Sequence, residues 1–196
     1  YSPHTAIVSY GDIAKEIAKE IKQKGGNIIV GKKVVNLTEQ NKKVTVHFSG
    51  DDYHDIDFDH VITCAGLQSD RLAANSGDIA TPKIVPFFGQ YYVIDETYKE
   101  HVKGLIYPVP DPNYPFLGVH FTKRIDGQMT IGPNAFISLG RENYSGKDYN
   151  LSDIYDFLTY KGFWKFSSKN MPAAMRELRT VLSQTNFVQE AAKYGV

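Results

Sequence analysis

Hydrophobic and polar positions change period four times along this chain. Residues 10–24 carry Ile13, Ile17 and Ile21 at i, i+4 and i+8, with Ala14 and Ala18 beside them. That spacing predicts an amphipathic helix, with Asp12 as the N-cap and Gly25-Gly26 as the stop. The period then shortens. Residues 27–30 and 33–37 read as strands, and 43–49 alternate Val44, Val46 and Phe48 against polar neighbours. Ser49-Gly50-Asp51-Asp52 has hairpin-turn composition, and alternation resumes over 53–59. Residues 61–64 form a short apolar strand ending in Ala65-Gly66, and 67–76 read as a short helix closed by Gly77. From 83 to 135 no helical period occurs. The strand candidates are 87–94, 104–107, 116–122 and 128–132, separated by turns at Asp111-Pro112-Asn113 and Ile125-Asp126-Gly127. Beyond Asp148 the pattern is helical again. Ser152 is placed to cap a helix carrying Ile154, Phe157 and Leu158 that Gly162 ends; a last helix follows Pro172 with Met175, Leu178, Val181 and Leu182.

This order predicts an α+β or α/β fold in two parts. Residues 1–82 form a helix with a mixed sheet. Residues 83–196 form an antiparallel sheet (83–140) followed by helices (141–196).

Composition narrows the classes. The chain has 196 residues, with 22 Lys+Arg against 22 Asp+Glu, so its formal net charge is zero. That balance argues against a nucleic-acid partner, which selects a clustered basic face. A single cysteine, Cys64, excludes a disulfide framework and a Cys-rich zinc site. Its apolar surroundings predict a buried, inert thiol. No apolar run reaches the roughly 18–20 residues that span a bilayer, so no transmembrane segment is expected. The first residue is Tyr1, which reads as a processed or excised chain.

Several motifs invite chemistry. Gly26-Asn-Ile-Ile-Val-Gly31-Lys32 imitates a P-loop, but Lys33 stands where the Mg²⁺-binding hydroxyl belongs and the intervening residues read as a strand. Asp55, Asp57 and Asp59 share one strand face opposite Ile56 and Phe58; a solvated face is expected, and no metal site. The strand–turn–helix around Ala65-Gly66 suits close approach of a phosphate, or is simply a tight turn. No G-x-G-x-x-G occurs. The densest candidate chemistry lies between 105 and 144. In the 116–122 strand, Leu117, Val119 and Phe121 share one face, while Gly118, His120 and Thr122 share the other. His120 is suited to general-base work near neutral pH, or is a satisfied structural histidine. Lys123, Arg124 and Arg141 are cations for an anionic substrate or ordinary surface charge, and Asn134 orients substrate or closes a turn.

Five blocks together resemble the FAD-dependent L-2-hydroxyglutarate dehydrogenase/oxidase family, within the D-amino-acid-oxidase-like flavoproteins. They are Ser2-Pro-His-Thr5, Val61-Ile-Thr-Cys-Ala-Gly-Leu-Gln-Ser-Asp-Arg71, Ile106-Tyr-Pro-Val-Pro-Asp111, Pro115-Phe-Leu-Gly-Val-His-Phe-Thr122 and Ile131-Gly-Pro-Asn-Ala135. The resemblance is clear to about residue 145 and weaker beyond. It implies part of an FAD-binding domain over 1–82, without its N-terminal dinucleotide loop, and a substrate domain over 83–196. It implies oxidation of L-2-hydroxyglutarate to 2-oxoglutarate. Val34 and Val35 match the strand near the adenine, and Ala65 and Gly66 the turn near the FAD phosphates. His120, Tyr107, Asn134, Arg124 and Arg141 fall to the substrate side, with His120 as the proton acceptor and the arginines as dicarboxylate anchors. Two departures stand out: Phe88 replaces a common Arg, and Ser9 stands where an acidic or amide residue is usual.

The resemblance therefore implies FAD as cofactor in the longer enzyme, of which this chain is the middle; the chain alone is expected not to hold it. It implies a small dicarboxylate substrate and a quinone or oxygen as electron acceptor; a cytoplasmic location is expected, as the single cysteine suits a reducing compartment, peripheral to the membrane if the acceptor is a quinone. Two alternatives stay open: a related flavoprotein acting on another 2-hydroxy or amino acid, and a non-catalytic small-molecule-binding module.

Overall fold

The computed structural model describes residues 3–4, 6–50, 54–79, 81–109 and 118–171, with 175, 188, 189 and 192. The architecture is mixed α and β, and the chain divides into two compact units: Ser9–Ile84, and Tyr1–Val8 with Val85–Val196.

In the first unit, helix α1 spans Tyr10–Gln23. Its N-cap is Ser9, whose Oγ accepts from the Asp12 amide; Asp12 lies in the first turn instead of capping. The acidic side chain still favours the helix start, where amide dipoles converge. Strands β1 (Val34–Gln40), β2 (Lys43–Phe48) and β3 (Ile56–Phe58) form an antiparallel sheet in that order. Asn41 and Lys42 both take positive φ between paired Gln40 and Lys43, as a two-residue hairpin requires. Of the turn expected at 49–52, positions 51 and 52 lie outside the described residues.

Cross-strand polar pairs lace this sheet. Thr38 Oγ1 lies 2.7 Å from His47 Nε2, and His47 Nδ1 lies 2.6 Å from Asp55. Thr45 donates to Asp57, and Lys43 pairs with Asp59. Each carboxylate of the aspartate strip thus has a partner on β2. A 3₁₀ turn at Gly66–Gln68 leads into helix α2, Ser69–Asn75. The C-terminal end of α2 closes the free edge of β1: Asn75 donates to the Val35 carbonyl, and Ser76 Oγ accepts from the Leu37 amide.

The strands expected at 27–30 and 61–64 are absent. Neither segment finds a ladder partner among the described residues, and Val30 and Ile62 are 83% and 90% exposed. A strand needs a neighbour for its amides as much as a suitable sequence. Cys64, expected to be buried, is exposed for the same reason.

In the second unit, strands β4 (Phe87–Val93), β5 (His120–Lys123) and β6 (Met129–Ile137) form an antiparallel sheet ordered β4-β6-β5. The 104–107 candidate contributes one bridge, Ile106 to Phe121, on the far side of β5. Val102, Phe121, Met129 and Ile131 form the core on one face, with Tyr92, Ile94, Ile106 and Val119 packed against it. Fully burying such a side chain contributes about 1.5–3 kcal/mol.

Helices α3 (Leu151–Leu158) and α4 (Lys161–Lys169) follow. Asn150 caps α3 through its side chain, not Ser152. Gly162 lies inside α4 instead of ending a helix, because the Tyr160 ring occupies the space its Cβ would need. Phe157 packs edge-on against Phe163 at 5.1 Å, and Phe166 against Phe87 at 6.0 Å. Most of the last predicted helix lies outside the described residues.

Candidate functional site

The β4-β6-β5 sheet has a second face, opposite its core. The alternation of β5 sends Phe121 into the core and His120 and Thr122 to the other side. His120 pairs across the ladder with Gly132, and Thr122 with Thr130. Tyr107, one residue past the bridge at Ile106, projects onto this same face. Its ring stacks on the imidazole of His120 at 4.5 Å and 20°, and its hydroxyl lies 3.3 Å from Thr122 Oγ1. Tyr91 of β4 meets the imidazole edge-on at 6.0 Å. Gly132 makes room for this arrangement. It has φ +149°, and a Cβ there would come within 2.9 Å of the Tyr91 ring and 2.7 Å of the Gln90 carbonyl oxygen.

The result is an imidazole only 5% exposed beneath two half-exposed phenols. Burial holds His120 below the ordinary histidine value, with the Gly118 carbonyl opposing in part. His120 Nδ1 lies 3.2 Å from that carbonyl oxygen. A carbonyl only accepts, so Nδ1 carries the hydrogen and Nε2 carries the lone pair. The Tyr91 phenol is pushed up by burial and then by the charge of a Tyr107 phenolate. Chemically, the arrangement is a neutral base held by aromatic rings.

Asn134 does not join it. Between Ile131 and Asn134, β6 spends one residue more than β4 does between Tyr92 and Gln90. This bulge turns Asn134 to the core side of the sheet, opposite His120. Asn134 is fully buried there, and among the described residues neither amide atom of its side chain has a hydrogen-bond partner. Period-two counting from His120 cannot see such a shift, whereas the glycine-proline pair at 132–133 is a sequence signal for a bulge.

The two arginines differ in setting. Arg124 sits in the β5–β6 turn, half-exposed, with its Nε 3.6 Å from Asp126. Arg141 is buried against α3: its amide donates to Asp153 at 2.7 Å, and its guanidinium lies 4.0 Å from Asp153 and 3.9 Å from Asp156. Tyr91 is the site residue that the sequence reading missed.

The flavin-side candidates lie in the other unit. Val34 pairs with Phe48 at the start of β1, and the Val35 carbonyl accepts from Asn75. The Ala65 and Gly66 carbonyls accept from the Gln68 amide and the Ser69 hydroxyl. A Cβ on Gly66, at φ +53°, would meet nothing within 4 Å. The turn therefore leaves its backbone open at Gly66. Among the described residues, no group of three or more His, Cys, Asp or Glu is placed to hold a metal, and no helix is long and apolar enough to cross a membrane.

Comparison with known proteins adds a family. Residues 1–183 match the family model described as FAD dependent oxidoreductase. The chain is 42% identical over 182 residues to the mitochondrial L-2-hydroxyglutarate dehydrogenase of Caenorhabditis briggsae, covering 91% of this chain and 42% of that protein. It is 36% identical to the human mitochondrial L-2-hydroxyglutarate dehydrogenase over 90% of this chain and 40% of that protein. It is 34% identical to the L-2-hydroxyglutarate dehydrogenase of Escherichia coli strain K12, over 99% of this chain and 46% of that protein. The chain thus spans less than half the length of these relatives.

Proposed function

This chain belongs to the FAD dependent oxidoreductase family, and from that premise we propose that the protein oxidises L-2-hydroxyglutarate to 2-oxoglutarate. The substrate comes from the names of relatives that align over 90–99% of the chain. The chemistry rests on one observation: a buried histidine, neutral at physiological pH, whose Nε2 carries a lone pair. Oxidising a 2-hydroxy acid removes a proton from the hydroxyl and a hydride from C2. His120 Nε2 takes the proton. FAD, when bound, supplies the two-electron acceptor. Val34 and Val35 would lie towards its adenine, and Ala65 and Gly66 towards its phosphates.

In this reading Ser9–Ile84 is part of an FAD-binding domain, and Val85–Val196 carries the substrate-facing sheet. Arg124 is the better placed dicarboxylate anchor, since it keeps solvent access. Arg141 holds α3 through Asp153 and Asp156, and Asn134 supports the sheet from its other face. The experiment is anaerobic addition of 2-hydroxy acids to the complete, FAD-loaded protein. L-2-Hydroxyglutarate should bleach the flavin, with its D-enantiomer and L-lactate far slower. Bleaching by a different hydroxy or amino acid alone would assign another substrate. A colourless protein with no such reaction would favour a binding module.

A further inference from the structure

We propose that Tyr107 and Tyr91 are positioning residues for His120: together they clamp the imidazole so that Nδ1–H stays on the Gly118 carbonyl and Nε2 stays the proton acceptor. The proposal rests on the catalytic reading of His120 given above and adds the device that prepares it.

The geometry carries it. A histidine on a strand has two free torsions, and one hydrogen bond of 3.2 Å does not fix a ring plane. Tyr107 fixes the plane: its ring lies 20° from parallel with the imidazole at 4.5 Å, a stacked contact. Its hydroxyl lies 3.3 Å from Thr122 Oγ1 on the same strand as His120, an addition to the stack and not its support. Tyr91 closes the other approach edge-on, over the space left by Gly132. Rotation of the imidazole about its χ2 bond, which would carry Nδ1–H off the Gly118 carbonyl and put Cδ2 in its place, turns the ring out of its stack on Tyr107 and against the Tyr91 edge.

The stacking also excludes water from the imidazole, and desolvation is the main cause of its depressed pKa. Among the described residues, the titratable groups shown against His120 are these two phenols, from β4 and from the segment before β5. No carboxylate contributes to the shift. The clamp therefore works by packing and exclusion, not by an ion pair, and it keeps the base neutral into mildly acidic solution.

The test uses ¹⁵N-histidine spectra of the complete protein, with Tyr107→Phe and Tyr107→Leu. In the parent protein the His120 signals should show the Nδ1–H tautomer and titrate below 6.5. Tyr107→Phe keeps the stack and should retain both properties. Tyr107→Leu should give mixed tautomers and a midpoint moved up towards 6.5. The acid limb of kcat/KM should move the same way, so that this variant loses about threefold more rate at pH 6 than at pH 8. Circular dichroism and flavin content, unchanged in both variants, show that the fold is kept; Tyr91→Leu provides a second, independent arm. A Tyr107→Leu and a Tyr91→Leu protein that both keep the parental tautomer and midpoint overturn the proposal, whatever their activity. If the imidazole responds as expected but L-2-hydroxyglutarate is not oxidised, the clamp stands and the proposed substrate falls.

Discussion

The two units treat similar hydrophobic sequence in opposite ways. Between Val85 and Val196, alternating strands find partners and six hydrophobic side chains are buried among the described residues: Val102, Phe121, Met129, Ile131, Phe157 and Phe163. Between Ser9 and Ile84, only Val46 among the described residues is a hydrophobic side chain buried to that degree, while Ile13, Ile17 and Ile21 along α1 and Ile28 to Val30 stay exposed. The strand-like segments 27–30 and 61–64 are no less apolar than β6. What they lack among the described residues is a neighbouring strand. Hydrophobic pattern gives a segment the capacity to form an element, and a partner surface realises it. It follows that the His120 site stands on a packed core, whereas the Ala65-Gly66 turn follows an exposed, unpaired segment.

This contrast can be broken by mutation. Met129→Ala empties a fully buried position and should cost about 2–5 kcal/mol, read as lost amide protection in β5 and β6. Gly132→Ala should cost about 2–3 kcal/mol by the same measurement, because it combines positive φ with a clash against Gln90 and Tyr91. Asn150→Ala removes the α3 cap and should cost about 1 kcal/mol, seen as faster exchange at Asp153. Ile62→Ser, on the exposed segment, should change stability by less than about 0.5 kcal/mol. An Ile62→Ser loss equal to that of Met129→Ala would remove the contrast.

A pH dependence sharpens it further. His120 is held below its ordinary value of 6.5 in the folded state. Above 6.5 both folded and unfolded forms are neutral and stability is unaffected. As pH falls below 6.5 the unfolded chain takes up a proton first, so stability declines until the lower folded value is passed. Thermal unfolding between pH 7.5 and 5 should show this loss, and His120→Gln should reduce it. Finally, the 196-residue chain by itself is expected to purify without stoichiometric flavin, because it contains no G-x-G-x-x-G sequence. Absorbance of the purified chain checks this directly.

Much of the second unit was legible in sequence. The alternation around His120 correctly separated Phe121 from His120 and Thr122, because a strand with one buried face writes its register in period two. The helix of residues 10–23 was equally plain, although its cap was not: Ser9 and Asp12 are both good cap residues, and only the chain path chooses between them. Three features were illegible for physical reasons. The bulge in β6 reverses parity with a single extra residue, so strand alternation alone does not give the side of the sheet on which Asn134 lies. Gly162 looked like a stop, but its role is to admit the Tyr160 ring. Tyr91 looked like one more alternating aromatic, and its place beside His120 depends on Gly132 of the neighbouring strand β6.

The claim at the centre of this account is that His120 accepts the substrate proton. The most direct measurement is single-turnover flavin reduction by L-2-hydroxyglutarate in the complete, FAD-loaded protein, comparing the parent with His120→Gln at equal flavin content. The account predicts a reduction rate lower by about 10²–10⁴-fold in the variant, with substrate still bound. Reduction at the parental rate in His120→Gln would contradict it.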